Sequence, residues 1–298
     1  MMILCFLTIY TKYLLMRNTN HKKEHNGMEI IDAHIHFWDL SQQMNQWVLN
    51  ADKRLQKNFT PEQLPKRTFV HIEAHDSSID TLHEVNWLTQ AFPDTSMRYI
   101  SCIDFFQSFP QYKAQIDRLR AYDHVVGVRQ ILAYHPKAAY SPMKSNQLPE
   151  DFKQKLAYLA QHNMVFECQM YPQQIINCLG DIEKSAVTTA IEHFGLPLCA
   201  SDKDMQYWKA MVDAIANKTN IFVKLSGFFM LNQSKKDMQY CLKYLLDRIP
   251  SNRLCYGSNY PVCHTENYDY WFELLKTVIP DNTYADIFAN TARNLYWR

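Results

Sequence analysis

Short apolar, β-branched runs alternate along this chain with longer segments whose apolar residues recur every three or four positions. The runs Glu29–His36, Thr68–His75, Met97–Phe105, Val125–Leu132, Met164–Tyr171, Ala186–Phe194, Asn220–Gly227 and Arg253–Tyr260 read as strands. Between them Ser78–Ala91, Pro110–Ala121, Pro149–His162, Pro172–Lys184, Asp202–Lys218, Lys235–Arg248 and Tyr268–Val278 read as helices, and Tyr284–Tyr296 closes the chain. In the first of these, Ile79, Leu82, Val85 and Leu88 share a helical face. Proline opens three of them, at Pro110, Pro149 and Pro172, where its missing N–H is harmless. Asp202 and Ser234 are expected N-caps.

Strict strand–helix alternation is the pattern of parallel βα units, and eight of them predict an α/β fold of (β/α)8 TIM-barrel type. One domain over 28–298 with long βα loops is expected. A doubly wound open sheet fits less well, because no Gly-rich loop follows a strand and the chain has only 6 glycines. The longest irregular stretches, Phe37–Arg67 and Tyr134–Leu148, both follow strands. In a barrel they lie at the C-terminal mouth, where their length suits lids or specificity elements.

Residues 1–27 are set apart. Met2–Met16 is apolar but interrupted by Lys12, too short to span a bilayer comfortably, and lacks the basic start of a signal peptide. We expect an N-terminal extension outside the fold, with a weak membrane-surface anchor as the alternative and no stable membrane span. The remaining composition is that of an ordinary globular chain: 298 residues, 47% hydrophobic, net charge +1. That balance argues against a nucleic-acid partner bound through bulk charge. The 8 cysteines form no Cys-x-x-Cys pair and mostly sit in apolar runs. They read as reduced thiols in a cytoplasmic protein.

Polar residues gather at the predicted strand ends. His34 and His36 stand two apart on the first strand, so both imidazoles project to one side. The second strand carries Glu73 and His75 in the same phase, the fourth Arg129, the fifth Glu167, the sixth His193, the seventh Lys224 and Ser226. The eighth ends at Asn259, with His264 just beyond. Each alone is more often satisfied structural polarity, as in an ion pair of Arg129 with Glu167 or Asp104. Their convergence on one mouth is what favours a site. Trp38 and Tyr260 are candidate walls for a small-molecule substrate.

Five ordered segments then resemble a known family: Ile31-Asp32-Ala33-His34-Ile35-His36-Phe37-Trp38-Asp39, Gly127-Val128-Arg129-Gln130, Ile191-Glu192-His193-Phe194-Gly195-Leu196-Pro197, Val223-Lys224-Leu225-Ser226-Gly227 and Tyr256-Gly257-Ser258-Asn259-Tyr260-Pro261-Val262-Cys263. Asn58-Phe59-Thr60-Pro61-Glu62-Gln63-Leu64 adds to the likeness. They are similar to the amidohydrolase-related (amidohydrolase 2) TIM-barrel hydrolases, whose members include sugar lactonases and pyrone-dicarboxylate lactonase. The resemblance implies hydrolysis of a lactone, ester or related C–O or C–N bond of a small carboxylated or sugar-derived substrate. It implies one of two routes. In the first, a single divalent ion such as zinc or manganese is held by His34, His36 and His193. In the second, no metal takes part, the histidines polarise the carbonyl, and Arg129 grips a substrate carboxylate. Val126-Gly127-Val128-Arg129 offers no lysine for the carbamylated bridge of binuclear relatives, so one ion is the maximum.

One departure matters more than the matches. The family's eighth-strand motif carries Asp where this chain has Asn259, and an amide can neither accept a proton from water nor bring negative charge to a metal. General-base help contributes about 10²–10⁴-fold, so its loss needs a replacement. His75, His264, Glu73 and Glu167 are candidates, with His193 kept. The alternative is a catalytically impaired homologue that binds a small acid or lactone without turnover. Nothing in the sequence speaks on oligomeric state.

Overall fold

The computed structural model describes residues 28–231, 233–263 and 266–298. Eight parallel strands run in sequence order: β1 Ile31–Ile35, β2 Thr68–Ile72, β3 Met97–Cys102, β4 Val125–Ile131, β5 Val165–Gln169, β6 Thr189–Ile191, β7 Ile221–Leu225 and β8 Leu254–Tyr256. Past the end of β8 the sheet meets its own beginning. There Ile35 bridges Tyr260, His36 N donates to the Tyr260 carbonyl at 2.8 Å, and Asn259 N donates to the His34 carbonyl at 2.7 Å. The result is the (β/α)8 barrel that the strand–helix alternation predicted.

Helices α1 Thr81–Ala91, α2 Phe109–Leu119, α3 Phe152–Gln161, α4 Pro172–Ser185, α5 Asp202–Ile215, α6 Lys235–Leu246, α7 Tyr270–Lys276 and α8 Thr291–Tyr296 surround it. Local chemistry explains their starts. Asp80 accepts from Leu82 N at 3.0 Å to cap α1, and Ser234 with Asp237 forms a reciprocal capping box on α6. Ser201, not Asp202, caps α5, by accepting from Asp204 N at 3.3 Å. Pro149 lies outside α3, whereas Pro110 and Pro172 occupy first-turn positions.

Other boundaries moved for physical reasons. β6 is only three residues long, because His193, Phe194 and Leu196 all adopt left-handed backbone conformations. The closing helix expected over Tyr284–Tyr296 is helical throughout, with a π-helical stretch at Asp286–Asn290 leading into α8. Ala292, Leu295 and Tyr296 of this segment pack on Ile31, Val165 and Cys255, closing the barrel end opposite the histidines.

The long segment after β1 is a folded unit of short 3-10 turns. Trp38, Val48, Leu55 and Phe59 form its small core, pinned by reciprocal backbone bonds of 2.9 Å between Trp38 and Phe59. The segment after β4 is anchored by Tyr171 Oη donating to the Tyr140 carbonyl at 2.9 Å. Tyr171 also packs with Ala133, Leu196, Leu198 and Leu231. Among the described residues no helix is long and apolar enough to cross a membrane. The proposed extension, 1–27, lies outside the described residues.

Candidate active site

His34 lies near the end of β1 and His193 follows β6, and their ring centroids stand 4.6 Å apart. Glu192 reaches both: its Oε1 lies 3.6 Å from His34 Nδ1 and its Oε2 lies 3.5 Å from His193 Nε2. One ligand atom from each of these three residues lies within 4.8 Å of the other two, all fully buried. His36 stands beside them, with its ring 5.1 Å from that of His34. Its Nδ1 donates to the Ile72 carbonyl at 2.9 Å, which leaves Nε2 with a free lone pair. His193 Nδ1 meets Ser226 Oγ at 2.9 Å, while both ring nitrogens of His34 are buried without a hydrogen-bond partner.

Two glycines make room for these rings. A Cβ on Gly227, whose φ is +56°, would lie 2.3 Å from His193 Nδ1, and one on Gly257 would lie 2.6 Å from His34 Cβ. Burial pushes the pKa of all three histidines well below the usual value. His193 adds repulsion from His34, and Arg129 adds repulsion from His36 and from His193. They are neutral imidazoles at pH 7, the form that ligates a metal.

Arg129 on β4 sits between two carboxylates. Its Nε donates to Glu73 Oε1 at 2.8 Å and one terminal nitrogen donates to Glu192 Oε2 at 3.2 Å. Further bonds reach the Glu73 carbonyl at 3.1 Å and Gln169 Oε1 at 3.3 Å. The ion-pair partners are therefore Glu73 and Glu192, not the Glu167 or Asp104 expected from sequence. Burial raises the pKa of Glu73, and Arg129 offsets part of the rise. Glu167 on β5 instead pairs with Lys224 on β7 at 2.7 Å, both wholly buried, and Tyr296 donates to its other oxygen. Burial pushes Glu167 up to about 7 against the pull of Lys224.

Asn259 is buried next to this centre with a left-handed backbone, φ +52°, a conformation asparagine adopts readily. Its amide Nδ2 lies 3.0 Å from Met230 Sδ and 3.5 Å from Cys263 Sγ. His75 is buried beyond the end of β2, and its Nδ1 bonds the Asp76 carbonyl at 2.8 Å. Glu73 and His75 lie just beyond the end of β2 at Ile72, and Glu73 N still bonds the Ile100 carbonyl of β3 at 2.9 Å. His264 lies outside the described residues. Trp38 is fully buried, donates to the Lys57 carbonyl at 2.8 Å, and packs edge-on against Trp47 and Phe59. Tyr260 is half-buried between Phe59 and Tyr268.

Sequence reasoning did not select Glu192 or His71. Glu192 stands next to His193 in the chain, but adjacent residues on a strand point apart, so only the turn after β6 lets it reach both histidines. His71 stacks on Phe37, accepts from Phe37 N at 3.2 Å and lies 3.4 Å from Glu84. It braces the backbone that follows His36.

A protein-family model described as Amidohydrolase matches residues 31–298. The chain belongs to the amidohydrolase family. Among solved structures, an amidohydrolase from Burkholderia multivorans superposes with a TM-score of 0.70 at 19% identity, covering 90% of this chain and 99% of that one. A second crystal form of that amidohydrolase holds zinc. A probable 2-pyrone-4,6-dicarboxylic acid hydrolase from Acinetobacter baumannii with bound citric acid superposes with a TM-score of 0.66 at 17% identity, covering 91% and 100%. A 2,6-dihydroxybenzoate decarboxylase does so with a TM-score of 0.63 at 12% identity, covering 91% and 100%. At these identities the amidohydrolase barrel is what is shared. No curated protein sequence matches the chain.

Proposed function

We propose that the chain is a hydrolase in which one divalent ion, zinc or manganese, is held by His34, Glu192 and His193, with His36 beside them. The observation that carries this reading is the buried trio itself: neutral imidazoles, two of whose nitrogens have no protein partner, facing a carboxylate. That donor set suits a catalytic zinc site of two histidines and a carboxylate. A zinc-bound relative with the same barrel supports it. Bound there, the ion would supply Lewis acidity and lower the pKa of a water to about 7, which reduces the need for a strong base at position 259.

Buried side chains set the charge inside the barrel. Arg129 and Lys224 face the three carboxylates Glu73, Glu167 and Glu192. With neutral histidines the set carries one net negative charge when all three are ionised, and a divalent ion reverses it to one positive. An anionic substrate is then drawn in, in line with a small carboxylated or sugar-derived lactone or ester. Arg129 and Lys224 are held by carboxylates, so their contribution is to fix Glu192 and Glu167 and set the field. His36 Nε2 has a free lone pair to accept a hydrogen bond from substrate or water. Tyr260, half-buried, is the candidate left for the wall, since Trp38 is wholly buried in the core of the segment after β1. Residues 28–298 form the working domain, with 1–27 an extension, in the cytoplasm.

One observation favours a second reading, a binder without turnover: Asn259 turns its amide to two sulfurs and offers no base. The test is a panel of sugar lactones and aromatic lactones, assayed with zinc, with manganese and after chelation, beside Asn259→Asp. Turnover by the unaltered chain that is lost on chelation and restored by one ion per chain is expected. Turnover only in Asn259→Asp would give the binding reading first place.

A further inference from the structure

Among the described cysteines, Cys102, Cys168, Cys178, Cys199, Cys241, Cys255 and Cys263, two thiols approach each other. Cys199 lies partly exposed in the turn between β6 and α5, and Cys241 lies buried on the inner face of α6. Their sulfurs are 3.8 Å apart and share a hydrogen bond, although 42 positions separate them in the chain. The same two segments are tied by Gln233 Nε2, which donates to the Pro197 carbonyl at 2.8 Å. A disulfide needs its sulfurs about 2.0 Å apart, so bridging requires the thiols to approach from 3.8 Å, and Cys199 lies in a turn and partly open to solvent.

We propose that Cys199 and Cys241 form an oxidative modification site, a dithiol that closes to a reversible disulfide when the chain meets a peroxide. The steps balance. The Cys199 thiolate attacks one peroxide oxygen, the O–O bond breaks, and sulfenic acid and hydroxide result. The Cys241 thiol then attacks the Cys199 sulfur, its proton leaves with the departing hydroxyl as water, and the S–S bond forms. Two thiols are oxidised while one peroxide is reduced to two waters. Roles follow from exposure: an oxidant reaches Cys199 first, and Cys241 resolves. The shared hydrogen bond lowers the Cys199 pKa, whereas burial raises those of Cys168, Cys178, Cys255 and Cys263. The bridge would staple the loop that starts at His193 to the helix that follows Ser226, joining the two segments whose side chains already meet at 2.9 Å.

The test treats the full chain with hydrogen peroxide, alkylates it in denaturant and maps the peptides by mass spectrometry. A Cys199–Cys241 linked pair two hydrogens lighter than its free peptides is expected, reversed by dithiothreitol, with the other five described cysteines alkylated. Cys241→Ser should stop at a dimedone-reactive sulfenic acid on Cys199, and Cys199→Ser should protect Cys241 from oxidation. Closing so long a loop should also raise Tm of the oxidised chain by roughly 5 °C. Two free thiols while other cysteines oxidise, a scrambled set of links, or Cys241 oxidising as fast in Cys199→Ser as in the parent would overturn the proposal. Should Cys241→Ser fail to fold, the Cys199→Ser comparison decides alone.

Discussion

Glu192 holds the proposed site together in two ways, and substitution can separate them. It lies 3.5–3.6 Å from both histidine rings, and it is one of two carboxylates on Arg129. Glu192→Gln keeps the shape and removes the charge. Breaking a buried ion pair costs about 3–5 kcal/mol when a charge is left uncompensated. Here Arg129 keeps Glu73 at 2.8 Å, so the expected loss sits near or below the lower end of that range. Metal affinity should fall much more. Substituting residues that merely orient zinc ligands already costs 10–100-fold, so losing an anionic ligand should cost at least about 100-fold.

Glu73→Gln is the matched control, because it also takes one carboxylate from Arg129 but touches neither histidine. Zinc titration calorimetry on the parent and both variants, with urea denaturation of each, separates the two roles. A similar loss of stability in both variants, with zinc affinity lost only in Glu192→Gln, is the expected result. Wild-type zinc affinity and stoichiometry in Glu192→Gln would refute the assignment of Glu192 as a ligand.

Gly227→Ala would place a methyl 2.3 Å from His193 Nδ1 at φ +56°. Overpacking and left-handed strain together should cost about 2–4 kcal/mol in denaturant unfolding and displace His193 enough to weaken zinc binding. An alanine variant as stable as the parent would show the ring is not confined. Because the folded-state pKa values of His34, His36 and His193 are depressed, their stability contribution is complete above the unfolded value of about 6.5. It is lost as pH falls below that value, so chemical denaturation should show a steep decline there, mirrored by zinc release. Lys224→Met leaves Glu167 buried without its counter-charge. Its cost should be about 3–5 kcal/mol at pH 8 and smaller at pH 6, where Glu167, titrating at about 7, already holds a proton. An equal cost at both pH values would contradict the pairing.

Much of the barrel was legible because burial on both faces writes strands as apolar runs, and strand-end chemistry then falls at one mouth. His34, His36, Arg129 and His193 were collected from strand-end spacing, and the structure brings the three imidazoles together beside Arg129's partner Glu192. What escaped depends on backbone deviations that no period records. Alternation places Glu192 opposite His193, yet the left-handed turn at His193 and Phe194 brings both to one centre. Ion-pair choice is also invisible in a string: Arg129 stands beside Glu167 in the β4–β5 register, yet it pairs with Glu73 and Glu192, and Glu167 pairs with Lys224.

The asparagine at 259 and the glutamate at 192 are then two sides of one arrangement. An aspartate at 259 would direct a carboxylate toward Met230 Sδ and Cys263 Sγ, neither of which gives a strong hydrogen bond to an anion. It would also add a fourth carboxylate to a set that already has three against two cations. Asn259 avoids that charge, donates to the sulfurs, and accepts the left-handed backbone that lets its N–H reach the His34 carbonyl. Its work is therefore to tie the end of β8 to β1, while Glu192 brings the negative charge from β6. Asn259→Asp should consequently lower stability by about 1–3 kcal/mol, as expected for a buried polar group without a suitable partner, and should not strengthen zinc binding. Calorimetry showing tighter zinc binding in Asn259→Asp than in the parent would mean that position 259, not 192, is where this barrel expects its carboxylate.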